Sequence, residues 1–183
     1  MIDVSWPRTQ PELNNGSIAL RPWRTTDATF VHDSCQDEVV QRWTRISVPY
    51  LLKDATGFVT RLAPHQWDHG AGAAFAIVET TTQKVVGSMG LVRVDRSNHL
   101  AEAGYWINAH ERGRGFASRA LDLLSAWALN DIGFARVELR VEVENAASRK
   151  VATNAGFALE GVMRRAAWHR GAQRDVALYA RIG

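Results

Sequence analysis

The sequence has only one cysteine in 183 residues, which excludes an intrachain disulfide. A chain without disulfides is typical of a reducing compartment, so we expect a cytoplasmic location. The single thiol, Cys35, follows His32-Asp33-Ser34 in a context that matches no catalytic cysteine motif. Because free cysteines usually pack as small hydrophobic residues, we predict that Cys35 is a bystander.

Long hydrophobic runs are also absent. No stretch approaches the roughly 20 apolar residues that a membrane span requires. Residues 1–10 contain Asp3, Trp6 and Pro7 and lack the apolar centre of a signal peptide or anchor. We therefore expect no membrane partner, and we expect no metal site.

Lysine is scarce, with three residues among the 22 lysines and arginines, and the formal net charge is only +3. This surplus is too small to indicate a nucleic-acid-binding surface, so we expect no nucleic acid as a partner. An arginine-rich chain of this kind does suit a phosphate-bearing or acidic ligand.

The hydrophobic pattern predicts a single α+β domain over residues 1–183, with an irregular lead-in over 1–16. Three strands with short polar links form an antiparallel meander, and one parallel crossover follows them. Thr25-Thr26-Asp27 is expected to cap the first helix. The predicted strands cover 18–23, 74–79, 85–94, 102–107, 137–143, 158–169 and 174–182, and the predicted helices begin at 28, cover 116–129 and run from 145 to 154.

The most informative segment is Arg112-Gly113-Arg114-Gly115-Phe116-Ala117, which joins a predicted strand to the clearest helix. The first N–H groups of a helix have no internal partner, and the helix dipole favours negative charge there. Glycines allow the backbone to wrap closely around a phosphate, and the two arginines add bidentate donors. The segment therefore predicts a phosphate-binding loop.

Other interpretations of this loop are weaker. A dinucleotide-binding site would need a third glycine where Ser118 stands, and a P-loop would need Gly-Lys-Ser/Thr. A flexible basic turn and an RNA-binding arginine–glycine segment remain open from the loop alone.

Three motifs in order resemble the GNAT acetyltransferase superfamily, and most closely its RimJ/RimL-type branch. Arg112-x-x-Gly115-x-Ala117 matches the R/Q-x-x-G-x-G/A signature. The strand 101–107, Ala-Glu-Ala-Gly-Tyr-Trp-Ile, and the segment 145–161 resemble that branch on either side of the loop. The resemblance implies an α/β sandwich with a mixed central sheet of about seven strands, flanked by helices and splayed at the cofactor strand.

The same resemblance implies an acetyl-CoA-dependent N-acetyltransferase that works by direct attack of a primary amine in a ternary complex. In such enzymes the splayed strand offers backbone groups to the pantetheine arm and the loop holds the pyrophosphate. The cofactor-binding residues implied by motif position are Trp106, Ile107, Asn108, Arg112, Gly113, Arg114, Gly115, Phe116, Ala117, Asn145 and Ser148.

Two catalytic residues are predicted. The tyrosine that many family members use to protonate the thiolate is replaced by Ala152, so Ser148 is implied as the group that hydrogen-bonds the thiolate. Glu102 precedes the cofactor strand and is the first candidate base, acting through water. His169 is a second candidate base, and water alone is a third possibility.

The other acidic residues are expected to have no role in catalysis. We predict that Glu138 and Glu142 face solvent and that Glu160 shapes a turn. Some relatives carry a glutamate where this chain has Ala167, so that base is missing here.

Residues 24–70 and the loop 166–173 are expected to form the acceptor pocket. A protein N-terminus, an amino acid and a small amine are all possible acceptors, and either a monomer or a homodimer is possible. The aromatic and histidine side chains in the first segment either line this pocket or belong to the core: Trp43, Tyr50, His65, Trp67 and His69. The alternative function is an inactive CoA-binding sensor or partner domain.

Overall fold

In the computed structural model, which describes residues 4–183, eight strands form one mixed sheet. The first three residues of the predicted lead-in lie outside this range. The strands are β1 (Leu13–Asn14), β2 (Ile18–Pro22), β3 (Ala73–Glu79), β4 (Val85–Asp95), β5 (Leu100–Ile107), β6 (Arg136–Glu142), β7 (Ala158–His169) and β8 (Ala172–Ile182). Their order is β1-β2-β3-β4-β5-β6-β8-β7, and only β5 and β6 pair in parallel. The predicted mixed sheet is confirmed, and the two-residue β1 is the additional strand.

Within residues 4–183, six α-helices connect the strands. They are α1 (Ala28–Ser34), α2 (Glu38–Trp43), α3 (Leu52–Gly57), α4 (Ala63–Asp68), α5 (Phe116–Trp127) and α6 (Ala146–Asn154). A π-helical turn over Phe58–Leu62 joins α3 to α4, and another over Ala128–Ile132 extends α5. The first four helices lie between β2 and β3, and α5 and α6 follow β5 and β6.

The helix predicted over 116–129 forms because its apolar residues fall on one face. Ala120, Leu121 and Leu124 are fully buried against the sheet. Gly133 then ends the helical segment in a left-handed conformation with φ of 88°, which glycine adopts without steric cost. The start of this helix is therefore fixed firmly against the end of β5.

The two faces of the sheet pack against different helices. Ala101 and Ala103 of β5 belong to the larger core, which includes α5, and Tyr105 packs against the same core. Trp106 points to the other face, where it packs with α1 and α3. Because side chains alternate along a strand, Glu102 also lies on the face opposite Tyr105.

Two local predictions have different outcomes. Cys35 is 1% exposed, and burial raises the pKa of its thiol to about 12, which confirms an unreactive thiol. Asp27 occupies the N-cap position of α1, as predicted, but its side chain accepts no hydrogen bond from that helix. Its carboxylate instead accepts hydrogen bonds from the backbone N–H of Arg24 and from the guanidinium of Arg21, at 2.7–3.0 Å. This buried ion pair satisfies the carboxylate before α1 begins.

Candidate active site

The strands β5 and β6 part in the middle of the sheet. They pair only from Leu100 to Ala103 on β5 and from Arg136 to Leu139 on β6. Beyond Ala103, β5 continues to pair with β4 on its other side. A gap therefore opens beside the second half of β5, and the backbone groups of β5 that face it have no strand partner. This is the splay expected from the sequence.

Hydrogen bonding on the β4 side shows which backbone groups face the gap. The N–H of Asn108 donates to the carbonyl of Val86 at 2.9 Å, and its own carbonyl accepts from Glu111 at 2.9 Å. Opposed residues in an antiparallel pair alternate between bonded and non-bonded positions, so Trp106 also bonds towards β4. Tyr105 and Ile107 then direct their backbone groups into the gap.

The structure thus corrects part of the predicted backbone contact. Ile107 faces the gap as expected, whereas the backbone groups of Trp106 and Asn108 are used within the protein. The backbone groups of Tyr105, rather than those of Trp106, face the gap. The side chain of Asn108 is also engaged, since its amide donates to the buried hydroxyl of Ser34 at 2.9 Å.

The loop after β5 has a backbone suited to an anion. Gly113 and Gly115 have φ of 78° and 77°, a left-handed conformation that favours glycine. Within the described residues, no protein acceptor is found for the backbone N–H groups of residues 113–117. These donors stand at the N-terminus of α5, where the helix dipole adds positive potential.

The two loop arginines are paired with carboxylates. Arg112 binds Asp37 at the N-terminus of α2, and Arg114 binds Glu111 and Glu79. The guanidinium of Arg112 lowers the pKa of the Asp37 carboxyl. A phosphate ligand would therefore compete with these carboxylates for the arginines, while the backbone donors are free.

Arg119 is a third arginine at the loop and was not predicted to take part. Its guanidinium donates to the carbonyl of Arg114 at 3.0 Å and lies over the ring of Phe116. Its Nε is buried without a hydrogen-bond partner. The side chain of Arg119 therefore contacts the loop at Arg114 and Phe116 and stabilises it.

Ser148 lies across the gap from the loop, in the first turn of α6. Asn145 caps this helix, because its side-chain oxygen accepts from the N–H of Ser148 at 3.0 Å. The hydroxyl of Tyr105 donates to Ser148 Oγ at 2.9 Å. Burial raises the pKa of Tyr105 to about 12, so it remains a neutral donor.

Glu102 lies on the opposite face of the sheet, within a network of charges. Arg93 donates to its carboxylate at 3.1 Å, and Arg140 lies 3.7 Å away. Glu138 is its register partner on β6 and shares both arginines. Two guanidinium groups therefore hold the Glu102 carboxylate in place.

The expectation that Glu138 faces solvent is wrong. It is 6% exposed, because Arg136 and Arg93 cover its carboxylate. Glu142 is also largely covered, by His169 and Arg174. Glu160 forms an ion pair with Arg136, which lowers the pKa of the glutamate. The alternation of side chains along β6 was predicted correctly. The carboxylates of Glu138 and Glu142 are nevertheless covered, because arginines form ion pairs with them on that face.

His169 has both ring nitrogens engaged. Nδ1 faces the Glu142 carboxylate, and Nε2 lies 3.1 Å from the carbonyl of Thr44. Both ring nitrogens therefore lie against protein acceptors, and neither is directed at an open position where a substrate amine could approach.

The two segments predicted to form the acceptor pocket do meet. Arg170 and Gly171 form the tip of the β7–β8 hairpin, with φ of 49° and 77°. The guanidinium of Arg170 donates to the carbonyls of Gln41 and Ile46 at 2.8 and 3.0 Å. The hairpin is thereby fastened to the segment after α2.

The aromatic side chains of the first segment divide between core and surface. Trp67 and Tyr50 are buried in the two cores. Arg42 stacks on Trp43, and the rings of His65 and His69 stack on each other. A different set lies beside the cofactor strand: Trp23 and Phe30 both stack on Trp106, with centroids 6.2 and 6.0 Å apart.

Other kinds of site receive no support from residues 4–183. A cavity of about 180 Å³ lies between β2 and α4, lined by Trp23 and Trp67 among others, and none of the predicted catalytic or cofactor-binding residues lines it. Among these residues, no three His, Cys, Asp or Glu side chains are grouped for a metal ion. None of their helices has the length and hydropathy for crossing a membrane.

Comparison with known proteins agrees with this geometry. Residues 17–158 match the model of the acetyltransferase (GNAT) domain. The chain belongs to the GNAT acetyltransferase family. An uncharacterized N-acetyltransferase, p20, from Bacillus licheniformis is 32% identical over 163 residues, which cover 89% of this chain and 91% of that protein. This acetyltransferase therefore transfers an acetyl group from acetyl-CoA to an amine.

Two further relatives belong to the same family. The ribosomal-protein-serine acetyltransferase of Escherichia coli is 32% identical over 114 residues, 62% of this acetyltransferase and 64% of that protein. The solved structure of Mycobacterium smegmatis RimJ in complex with CoA-disulfide has a TM-score of 0.83 and 26% identity, covering 97% of this chain and 88% of that one. The predicted RimJ/RimL-type family is confirmed.

Proposed function

We propose that this acetyltransferase acetylates the N-terminal α-amine of a protein, by direct attack on acetyl-CoA bound between β5 and β6. The observation that carries the proposal is the position of two side chains on opposite faces of the sheet. Glu102 lies on one face, in the paired segment just before the gap begins, and Ser148 lies against the other face beside Tyr105. Direct attack needs this order, with the amine on one side of the thioester and the leaving sulfur on the other.

The cofactor would be held mainly by backbone donors. The free N–H groups of residues 113–117 suit the pyrophosphate, and Arg112 and Arg114 add charge once they leave their carboxylates. The backbone groups of Tyr105 and Ile107 would pair with the pantetheine arm. Asn145 keeps its role as the cap of α6, which sets the position of Ser148.

The reaction then follows from the two faces. The amine nitrogen attacks the thioester carbonyl carbon, and its proton passes through water to Glu102. The carbon–sulfur bond breaks, and the departing thiolate is stabilised by the hydroxyl proton of Ser148. We prefer Glu102 to His169 as the base because both ring nitrogens of His169 face acceptors.

Support for a protein N-terminus as acceptor comes from two sources. Related proteins are described as a ribosomal-protein-serine acetyltransferase and as RimJ. Arg93 and Arg140 cover the Glu102 carboxylate, but this side of the face is accessible, since those two arginine side chains are 48% and 41% exposed. An extended chain end can approach such a face, whereas a buried pocket would admit only small molecules.

A free amino acid is the second candidate acceptor. The guanidinium groups of Arg93 and Arg140 beside Glu102 could bind its carboxylate while Glu102 receives the amine proton. This places both ends of an amino acid within one charge network.

We also propose a cytoplasmic location and one catalytic domain. Acetyl-CoA is the cosubstrate, the single thiol is free, and one continuous sheet runs from Leu13 to Ile182.

A thiol-release assay with matched acceptors tests the acceptor class. The substrates are a lysine-free peptide with a free N-terminus, the same peptide with a blocked N-terminus and an added lysine, and free amino acids. We expect the highest kcat/KM with the free N-terminus. Faster turnover of free amino acids would favour the second candidate. If cofactor binds but CoA is released with none of these, the inactive CoA-binding domain is favoured.

A further inference from the structure

The hydroxyl of Tyr105 is a polar group beside Ser148, the proposed hydrogen-bond donor to the thiolate, and the sequence motifs give it no role. Its oxygen lies 2.9 Å from Ser148 Oγ, and the tyrosine donates this hydrogen bond. The two residues are on different elements, β5 and α6, and are 43 positions apart in the chain. This hydrogen bond therefore joins β5 to α6 beside the gap between β5 and β6, on the side where the sulfur is expected to leave.

The helix itself does not use the proton of Ser148. Ser148 stands in the first turn of α6, so the carbonyl four residues earlier, that of Glu144, precedes the helix and accepts from the N–H of Ala146 instead. Among the described residues, the only hydrogen bond of the Ser148 side chain is with Tyr105. One lone pair of Oγ is therefore occupied by Tyr105, and the hydroxyl proton is left to point elsewhere.

We infer that Tyr105 is a positioning residue that orients the hydroxyl of Ser148 towards the departing thiolate. By donating to Oγ, the tyrosine fixes the rotamer of Ser148 and leaves the serine proton available to the thiolate. A hydroxyl that accepts one hydrogen bond is also a stronger donor in the next, because chains of hydrogen bonds polarise one another. Ser148 thus donates the hydrogen bond that stabilises the thiolate, and Tyr105 acts through Ser148.

This inference rests on the proposed role of Ser148 but adds a residue that the motifs do not assign. Many family members use a tyrosine to protonate the thiolate, and this chain has Ala152 at that position. Tyr105 does not simply replace it, because its own proton is directed at Ser148 rather than at the gap.

The test is a double-mutant cycle with Tyr105→Phe and Ser148→Ala. We expect Tyr105→Phe to lower kcat by roughly three- to tenfold, the loss of one oriented hydrogen bond, while the Kd for acetyl-CoA measured by calorimetry stays the same. We also expect no further loss of kcat when Tyr105→Phe is added to Ser148→Ala. Independent, multiplying losses would overturn the inference and make Tyr105 itself the proton donor.

Tyr179→Phe is the matched control. Tyr179 is also buried, and its hydroxyl accepts from Arg149 on α6 at 3.3 Å, so its loss also removes a contact that anchors this helix. We expect kcat to be unchanged in this variant. An equal loss of kcat in both variants would show that Tyr105 only anchors α6, and would overturn the inference.

A second measurement keeps the inference testable if Tyr105→Phe folds poorly. Replacing the three tyrosines with 3-fluorotyrosine retains the fold and makes each phenol a stronger donor. We expect kcat to rise in the wild-type background and to remain unchanged in Ser148→Ala. No change in either background would contradict a role for Tyr105. Absence of turnover by the wild type with any amine would instead contradict the proposed function.

Discussion

The guanidinium of Arg112 binds the carboxylate of Asp37, and this contact links the loop before α5 to the first turn of α2. The two residues are 75 positions apart in the chain. Asp37 also caps α2 by accepting from the N–H of Val40 at 2.9 Å. The proposed cofactor loop and the proposed acceptor segment are thus held together by one ion pair, which a bound phosphate would have to displace.

Removing the charge of Asp37 should strengthen cofactor binding. Asparagine keeps the cap of α2, because it is as good an N-cap as aspartate, but it no longer competes for Arg112. We expect Asp37→Asn to lower the Kd for acetyl-CoA by roughly two- to fivefold, a gain typical of a partly exposed ion pair. Calorimetry measures this, with Asp33→Asn as the control because Asp33 contacts only His32. Weaker binding in Asp37→Asn would contradict the competition.

The same ion pair should make stability depend on acidic pH. Arg112 lowers the pKa of Asp37 in the folded state below its ordinary value of 3.8. A lowered folded pKa adds stability above the unfolded pKa, and this stability is lost as the pH falls through the folded pKa. We expect the Tm of the wild type to fall more steeply than that of Asp37→Asn below about pH 4. Parallel curves would contradict the contribution of this carboxyl.

A side chain at Gly113 should damage cofactor binding more than it damages the fold. Gly113 has φ of 78°, so alanine would be strained there by about 1 kcal/mol, although a Cβ would meet no atom within 4 Å. Gly156, with φ of 77° and the same open surroundings, is the matched control after α6. We expect both alanine variants to lose similar Tm, but only Gly113→Ala to raise the Kd for acetyl-CoA, by roughly tenfold. Equal affinities would show that the loop does not wrap around the cofactor.

Neutralising Glu102 should slow acetyl transfer. We expect Glu102→Gln to lower kcat by roughly ten- to a hundredfold and to remove the acidic limb of its pH dependence. The control is Glu160→Gln, which also breaks an ion pair with an arginine but lies on β7. A similar pH profile in wild type and Glu102→Gln would exclude Glu102 as the base and favour water alone.

The hairpin tip should matter for the acceptor rather than for the cofactor. Arg170→Ala removes the hydrogen bonds to the carbonyls of Gln41 and Ile46 and frees the β7–β8 hairpin from the segment after α2. We expect a higher KM for the peptide acceptor, by roughly threefold or more, with an unchanged Kd for acetyl-CoA. Arg181→Ala is the control, since Arg181 contacts Asp122 and Ser125 on α5. An unchanged peptide KM would exclude the hairpin from the acceptor site.

Local signals in the sequence were sufficient to predict the conformation of the loop 112–117 and the helices beside it. Gly113, Gly115 and the apolar face of α5 are adjacent in the chain, so their structure follows from short-range preferences. The cap of α6 by Asn145 follows in the same way. These elements were predicted because each depends on neighbours within a few residues.

Contacts between distant segments were not predictable in this way. The pairing of Arg112 with Asp37 and of Tyr105 with Ser148 depends on how strands are ordered in the sheet. Glu138 was predicted to face solvent because alternation along a strand gives its face but not what covers that face. Asp37 belongs to no motif in the sequence, and Tyr105 belongs only to the family motif of the strand 101–107.

The register of β4 against β5 explains the remaining error. Motif position implied free backbone groups at Trp106, Ile107 and Asn108. Which residues of a strand bond to its neighbour is set by the pairing register, and the bond from Asn108 to Val86 fixes it. Tyr105 and Ile107 face the gap as a result.

The central claim is direct transfer of an acetyl group from acetyl-CoA to an N-terminal amine. Mass spectrometry of a mixture of the protein, acetyl-CoA and a lysine-free peptide tests it, with a parallel mixture that lacks the peptide. We predict one acetyl group on the α-amine of the peptide and an unchanged protein mass in both mixtures, because Cys35 is buried and unreactive. A peptide that remains unmodified, or a protein that gains an acetyl group when the peptide is absent, would contradict the account.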